Sequence, residues 1–442
     1  MLERGLIFHM DSRELRIGCR GMHIRTLIVL LVGGVLAFFL HREEARGTFA
    51  TVDRGHVEWL LANRKLPVRE VSGKVIFAKV DDADHAESER QFESWPPSPG
   101  EWGGLLEEMR GYGIKTLVLP AMPGWGTESA DAGLQKVCRE LPGLLVGVRA
   151  EGRGGGDDAV ASGRVEAVVG DRMQIPDFAV IPGAAGVSAY GAWGVTQVDL
   201  SENGDARPGF DGAAWRVPLL FRKGEGVFAS LILQALMRQG DVTLDQVRVV
   251  LGEAVELGAM GRVPIDAAGV YRWYDHPVNH QPLAVMNVDT FKMTPQQIER
   301  FLTPNDPTRQ LLPALKGSLC WVGENDESSR RHVRPDGSRV SQAEMHAHAL
   351  NAMLGGRNVR PLTGLMQALT LVGVVAYGWW MTGRSRWGVI RFTLLGVLLL
   401  ALVSMLIMQS SGMWMPVIPG LIALLSLALL SLLVGTAEKR QA

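Results

Sequence analysis

The sequence predicts an α/β domain with a mixed, mostly buried sheet, joined to four transmembrane helices, one before the domain and three after it. Apolar residues make up 47% of the 442-residue chain, but the long apolar stretches lie only near its two ends. Between them, short apolar runs alternate with segments of helical spacing, a pattern typical of α/β domains. The chain is therefore predicted to combine a folded domain with a membrane anchor.

The first apolar stretch, IRTLIVLLVGGVLAFFL (24–40), lies near the lower length limit for a membrane-spanning helix. A signal peptide would end in a small-x-small cleavage site, whereas HREEARG follows this stretch. The stretch is therefore predicted to be an uncleaved anchor. The segment after it, 41–67, carries many charges and is predicted to be a solvated helical connector.

Three further apolar stretches follow the domain, and each has about the 20 residues that cross a bilayer. Arginine and lysine flanking such helices are retained on the cytoplasmic side during insertion. Four spans place every basic cluster on that side: the leading segment, the loop with Arg384 and Arg386, and the tail. The predicted segments are a cytoplasmic segment 1–23, a transmembrane helix 24–40, an extracytoplasmic domain 41–360, transmembrane helices 362–382, 388–408 and 414–435, and a cytoplasmic tail 436–442.

The domain between the first and second spans contains eight candidate strands. Several are apolar nearly throughout, which is expected where a sheet is covered on both faces. Two segments, 101–113 and 227–240, have helical spacing and end at glycine, a usual helix stop. The predicted strands are KVIFAKV (74–80), TLVLPAM (116–122), LLVGVRA (144–150), VEAVVGD (165–171), VTQVDL (195–200), WRVPLLF (215–221), GVYRWYDH (269–276) and SLCWVG (318–323).

Composition and motifs argue against several functions. A net charge of -1 gives no reason to expect a nucleic-acid partner. There is no Gly-x-Ser-x-Gly nucleophile elbow, so no serine triad is predicted. The chain is predicted not to be an enzyme and to need no cofactor. Cys138 and Cys320 would lie outside the cytoplasm, where they could form a disulfide or remain two buried thiols; both alternatives stay open.

Two acids end the first predicted strand. Asp81 and Asp82 follow KVIFAKV, and ligands of α/β sheets commonly bind beyond the carboxyl ends of strands. Aspartate also favours turns and helix caps, which is the alternative role. These two residues are therefore tentative ligand contacts.

Two further side chains are candidates on different grounds. Arg216 lies in a predicted strand and either pairs with an acid in the sheet or meets an anionic ligand, because its planar fork suits carboxylates. Trp95 either anchors a loop by packing or stacks on a ligand.

His346 and His348 lie in a predicted helix that ends at Gly355 and Gly356. Residues two apart on a helix are separated by about 200°, so these histidines face away from each other. Helical metal pairs need a spacing of three or four residues, and no metal site is predicted. His346 is expected to contact the core and is kept as a tentative ligand contact, whereas His348 is expected to be exposed.

Five segments of the chain, taken in order, resemble those of a known family. The arrangement of one span before them and three after them is also that of the family. That family is the second type of CHASE domain, the cyclase and histidine-kinase associated sensory extracellular domain of bacteria. The segments are KVIFAKVDDAD (74–84), ESWPPSPGEWGGLLEEM (93–109), GVTQVDLSENGDARPGFDGAAWRVPLLF (194–221), LKGSLCWVGENDE (315–327) and MHAHALNAMLGGR (345–357).

The resemblance implies a sensor or signalling subunit in a bacterial plasma membrane. Only TAEKRQA follows Gly435, which is too short for a folded output module, so the signal is expected to pass to a separate partner chain. The small-residue pair Gly33-x-x-x-Ala37 predicts a homodimer or partner contact in the first span. An envelope assembly or scaffold protein that uses the outer domain for protein binding is the alternative, and an extracytoplasmic hydrolase using Asp81 and Asp82 is a third.

Overall fold

A computed structural model gives the structure of the chain, which divides into two compact units. A helical unit contains Met1–Lys65 and Arg360–Ala442, and an α/β unit contains Leu66–Val359. Residues 41–65, predicted to belong to the domain, thus group with the helices. The structure describes residues 12–45, 49, 56–57, 59–60, 74–80, 99–120, 132–151, 163–177, 192–199, 209–210, 215–273, 283–293, 295–325, 332–333, 339–355, 360–362, 364–381, 384–411 and 413–438.

The described elements are numbered in chain order. The helices are α1 (Ser12–Ala45), α2 (Pro99–Gly111), α3 (Ala132–Glu140), α4 (Leu231–Gln239), α5 (Pro295–Phe301), α6 (Pro307–Leu311), α7 (Gln342–Leu354), α8 (Gly364–Met381), α9 (Arg386–Ser411) and α10 (Ile418–Glu438). The strands are β1 (Val75–Val80), β2 (Thr116–Leu119), β3 (Leu144–Glu151), β4 (Arg164–Val165), β5 (Ala167–Val169), β6 (Trp193–Asp199), β7 (Gly209–Phe210), β8 (Trp215–Pro218), β9 (Leu220–Lys223), β10 (Gly226–Ala229), β11 (Val247–Val250), β12 (Ala254–Leu257), β13 (Arg262–Pro264), β14 (Val270–Trp273), β15 (Ala284–Asn287), β16 (Leu319–Glu324), β17 (His332–Val333), β18 (Arg339–Val340), β19 (Arg360–Pro361) and β20 (Met413–Trp414).

Four long helices, α1, α8, α9 and α10, pack against one another in the helical unit. Two of them are long and apolar enough to cross a membrane: α8, with a mean hydropathy of 1.3 over its best window, and Arg386–Ser410 of α9, with 2.5. In α10 the apolar part, Ile418–Leu433, is shorter. The structure thus supports a membrane association of this unit through at least α8 and α9.

The small residues of α1 pack inside the helical unit. A Cβ atom at Gly33 would lie 3.0 Å from Val375 of α8 and 3.3 Å from Leu427 of α10. Ala37 is partly buried in the same interior. The Gly33-x-x-x-Ala37 pair, predicted to serve a second chain, therefore brings helices of one chain together.

The segment after α1 contains buried residues where it is described. Val57 and Leu60 are each only 1% exposed. The imidazole Nε2 of His56 lies 2.9 Å from the hydroxyl of Ser404, a fully buried residue of α9. The prediction of a solvated connector over 41–67 is therefore wrong for Val57 and Leu60, whose side chains are buried.

The α/β unit is built on a six-stranded sheet with the order β15-β1-β16-β2-β3-β6. All five neighbouring pairs in it are parallel. β1 reads VIFAKV and is buried along nearly its whole length, as a strand that is apolar except for Lys79 predicts. The prediction of a mixed sheet needs refinement, because the six-stranded sheet is wholly parallel and the antiparallel pairs lie in smaller sheets, of which β13-β12-β11-β5 also contains a parallel pair.

Helices cover both faces of the parallel sheet. On one face, α2 and α3 bury Leu106 and Cys138 with the sheet residue Cys320. On the other face, α4 and α7 bury apolar side chains with Trp321, the residue next to Cys320 along β16. Because neighbouring strand residues point to opposite faces, β16 contributes to both cores.

Two predicted strands are interrupted. WRVPLLF (215–221) breaks at Leu219 into β8 and β9, which belong to different sheets. VEAVVGD (165–171) breaks at Glu166 into β4 and β5, again in different sheets. Each break lets one apolar run change sheets, so both of its halves remain paired.

Candidate functional site at the carboxyl edge of the parallel sheet

The connections that leave the parallel sheet change sides at β16. The chain passes from β1 to α2 and from β2 to α3, and both helices lie on one face. It passes from β16 to α7, which lies on the opposite face. Since β16 lies between β1 and β2, the loops at its carboxyl end diverge from those of both neighbours. Such a switch point opens a crevice where α/β proteins commonly bind ligands.

Polar and acidic residues end several strands at this edge. Glu324 is the exposed last residue of β16 and lies opposite Val80 of β1. β3 ends at Glu151 and β6 at Asp199, and these two residues are paired in register. The exposed carboxylate of Glu324 favours a cationic ligand, or one that donates hydrogen bonds, over an anion.

Asn325 ties the end of β16 to β1. Its backbone N–H donates to the carbonyl of Val80 at 2.8 Å, and the residue is only 8% exposed. On the outer side of β1, Lys79 lies opposite Asn287 of β15. The ends of these three strands are thus fixed relative to one another.

The predicted acids Asp81 and Asp82 follow Val80 directly in the sequence, and both lie outside the described residues. Trp95 lies outside them as well. The predicted ligand contacts at these three positions therefore remain predictions.

The first turn of α7 packs directly on the end of β16. A Cβ atom at Gly323 would lie 2.2 Å from the Cβ of Ala343 and 3.3 Å from the ring of Phe77. The helix begins after Ser341, a buried N-cap whose hydroxyl accepts a hydrogen bond from the Glu344 N–H at 3.1 Å. Only glycine at position 323 allows this approach, so α7 lies directly against the backbone of β16.

His346 faces the parallel sheet. The residue is 1% exposed, and its ring meets Trp321 of β16 edge to face, with centroids 5.5 Å apart. It therefore contacts the core, as its helical position predicts. Trp321 lies two residues before Gly323 in β16. Through Trp321, His346 packs against the same strand that Ala343 contacts.

His348 is buried, which corrects the prediction that it is exposed. It is 7% exposed, and its ring stacks on Trp273 of β14 with centroids 5.4 Å apart. Its Nε2 lies 3.6 Å from a carboxylate oxygen of Glu344. The two histidines face different partners, as the helical angle predicts, but the antiparallel sheet of β14 covers the side of α7 that was expected to meet solvent.

Arg216 lies in that antiparallel sheet. It is half-buried on β8, paired in register with Arg272 of β14 and Gly209 of β7. Arg272 forms an ion pair with Asp266 at 3.5 Å. Among the described residues, no carboxylate lies within ion-pair distance of Arg216, so the predicted salt bridge is not found there. The structure places Arg216 in the antiparallel sheet, whereas His346 lies on α7 and faces the parallel sheet.

The two described cysteines are free and buried. Burial raises the pKa of the Cys138 thiol to about 12, and burial raises the pKa of the Cys320 thiol despite a backbone hydrogen bond from Ala78 that lowers it. Both thiols therefore stay protonated at neutral pH and are poor nucleophiles. Of the two alternatives, the structure shows free thiols. Within the described part of the chain, no group of three His, Cys, Asp or Glu side chains is placed to hold a metal ion.

Sequence reasoning missed Glu324, Asn325 and Ser341 as site residues. The signal was present in the polar run GEN that ends an apolar strand, and in a serine three residues before Glu344. No protein family matches the chain, and no characterised protein or solved structure is significantly similar to it. The resemblance to the second type of CHASE domain therefore rests on the five segments quoted above.

Proposed function

We propose that this chain is a membrane-embedded sensor or signalling subunit. In this proposal the α/β unit binds a small solute at the carboxyl edge of its parallel sheet, and α7 passes the bound state to the membrane helices and a partner chain. One observation carries the proposal: β16 touches α7 through Gly323 and Ala343, and only nine residues separate the end of α7 at Leu354 from the start of α8 at Gly364.

The connection is short enough to transmit a displacement. A solute that moves the end of β16 acts on the first turn of α7, because no side chain separates Gly323 from Ala343. Residues Met345 to Met353 of α7 are all buried, so the helix moves as a packed rod rather than bending alone. Such two-state shifts of packed helices are a common means of switching.

We place the α/β unit outside the cytoplasm, with α1, α8, α9 and α10 crossing the membrane. α1 has 34 residues and is about 51 Å long at 1.5 Å per residue, which exceeds a hydrocarbon core of about 30 Å. Five arginines precede Leu27, and Arg384 and Arg386 lie just before and at the start of α9, whereas the residues between α9 and α10 carry no charge. This distribution favours a cytoplasmic position for the first two groups.

The exposed carboxylate of Glu324 indicates which solutes to test first. Carboxylates favour cations and hydrogen-bond donors, so spermidine, calcium ion and glucose are useful probes. We expect at least one of them to raise the thermal unfolding temperature of the full chain in lipid nanodiscs, because a ligand that binds only the folded state stabilises it. Glu324→Gln should reduce this shift. Glu253→Gln, in the exposed turn between β11 and β12, is the matched control and should retain it.

Affinity purification from membranes tests the signalling part of the proposal. We expect a kinase, a cyclase or a phosphatase to copurify, with an activity that differs between the wild type and Glu324→Gln. Recovery of structural envelope proteins alone, with no signalling enzyme, would instead support a scaffold. Hydrolysis of a model ester or phosphate that is lost in Asp81→Asn would support the hydrolase and overturn the proposal.

A further inference from the structure

The corner between α8 and α9 is strongly basic. Arg384, Arg386 and Arg391 are all exposed there. The sequence has no aspartate or glutamate from residue 345 to residue 437, so α8, α9 and nearly all of α10 offer these cations no carboxylate. The corner therefore attracts an anion from outside these helices.

Aromatic rings hold one of the arginines in position. The guanidinium carbon of Arg384 lies 4.7 Å from the ring centroid of Trp380 and 5.6 Å from that of Phe392. The two rings meet edge to face, with centroids 4.7 Å apart. A guanidinium stacked on rings keeps its N–H donors, which lie in its plane, available for a second partner. The stacking thus orders Arg384 before an anion binds.

Tryptophans surround the same corner. Trp379 and Trp380 are each 45% exposed and Trp387 is 73% exposed, although indole is a costly group to leave in water. Exposed tryptophan is typical of the level at which lipid headgroups meet the hydrocarbon. Beyond it along α9, Ile390 and Leu394 are also exposed, at 42% and 66%, and offer an apolar surface to acyl chains.

We propose that this corner, formed by Trp380, Arg384, Arg386, Trp387 and Arg391, binds the phosphate of an anionic phospholipid. The arginines take the phosphate through charge-assisted hydrogen bonds, which can be bidentate. A lipid can cover both the arginines and the exposed apolar residues next to them, whereas free phosphate can contact only the arginines. This inference rests on the proposed membrane topology, because it needs α8 and α9 to lie in a bilayer.

The test uses the full chain in two kinds of nanodisc, one of phosphatidylcholine alone and one with about a quarter phosphatidylglycerol. Native mass spectrometry counts the phosphatidylglycerol molecules that remain bound after release from the disc. We expect the wild type to retain them, and Arg384→Gln with Arg386→Gln to bind them about tenfold more weakly, which is one unit of log affinity. Lysine at both positions should recover part of the binding, because it keeps the charge but not the planar fork.

Two controls separate the outcomes. Arg42→Gln removes an exposed arginine in the last turn of α1, where His41 approaches Gly364 at the start of α8, and should leave lipid retention unchanged. Inorganic phosphate added to phosphatidylcholine discs should not raise the unfolding temperature, whereas phosphatidylglycerol should. Equal retention by the wild type and the double glutamine variant, or an equal effect of inorganic phosphate, would overturn the lipid site. Failure of the wild type to enter either disc would count against the topology itself.

Discussion

The imidazole of His348 lies almost parallel to the indole of Trp273, with 9° between the ring planes. The stack joins α7, which covers the parallel sheet, to β14 of the antiparallel sheet. On the other side of the same helix, His346 meets Trp321. α7 is thus fixed between two sheets by one histidine on each side.

Removing the ring of His348 should destabilise the α/β unit. His348→Ala leaves a cavity next to Trp273, and we expect a loss of about 2–4 kcal/mol in the free energy of unfolding, as for other large-to-small core changes. His348→Phe keeps a ring for stacking and should cost less. Urea unfolding of the full chain, followed by tryptophan fluorescence, measures both variants. Equal midpoints for His348→Ala and the wild type would show that the stack contributes little.

The contact between Gly323 and Ala343 should show strong coupling. Gly323→Ala places two Cβ atoms far closer than van der Waals contact, and overpacking of this kind costs about 1–3 kcal/mol. Ala343→Gly removes the opposing Cβ at a cost of up to about 1 kcal/mol in helix propensity. We expect the double variant to be more stable than Gly323→Ala alone, as a double-mutant cycle of unfolding free energies would reveal. Simple additivity of the two changes would contradict the direct contact.

The two buried thiols should resist alkylation while the chain is folded. With a pKa of about 12, Cys138 has about one thiolate in ten thousand at pH 8, and burial limits access as well. In a Cys19→Ser background, we expect no incorporation of N-ethylmaleimide into the native chain and two equivalents after denaturation, measured by intact mass. Rapid native labelling would place a thiol at the surface, and no incorporation under non-reducing denaturation would indicate a disulfide between the two.

Acid should loosen the segment that contains His56. Burial lowers the pKa of His56 below its ordinary value, so the unfolded chain binds its proton more readily than the folded one. The stabilisation is therefore complete above the ordinary pKa near 6.5 and declines as the pH falls through and below that value. We expect a cysteine at the buried position Val57 to react faster with maleimide at pH 5.5 than at pH 7.5, after correction for the thiolate fraction.

The matched variant for this prediction is His56→Gln. Glutamine can still bond to the Ser404 hydroxyl but does not titrate in this range. The corrected labelling rate should then be the same at both pH values. An unchanged pH dependence in His56→Gln would assign the effect to another group.

The parallel strands could be predicted from the sequence, and the antiparallel ones largely could not. VIFAKV and LCWVGE are each apolar except for one charged residue near the end, because both faces of the strand are covered. VRVV (247–250) and AVEL (254–257) were missed, although Gly252 lies between them with a φ of 82° and marks a hairpin turn. Strands this short contain too few residues for their period to be recognised.

The candidate site shows the same limit in another form. The sequence could place acids at the end of a strand, but it could not show that β16 lies between β1 and β2, since strand order depends on contacts between distant residues. It also gave the correct angle between His346 and His348 but not the second sheet that buries His348. Local spacing fixes where a side chain points, whereas burial depends on what the rest of the chain brings there.

The strand order of the parallel sheet also bears on how the protein is made. β1 is among the first strands to be synthesised, yet its two neighbours, β15 and β16, are made from residues 284–324. Both edges of β1 therefore stay open while most of the α/β unit emerges, and an open edge can pair with the wrong strand. A nascent chain that stops before Leu319 has no central strand. Fragments ending there should aggregate rather than fold, and biogenesis of the full chain calls for protection of β1 until the last parallel strand arrives.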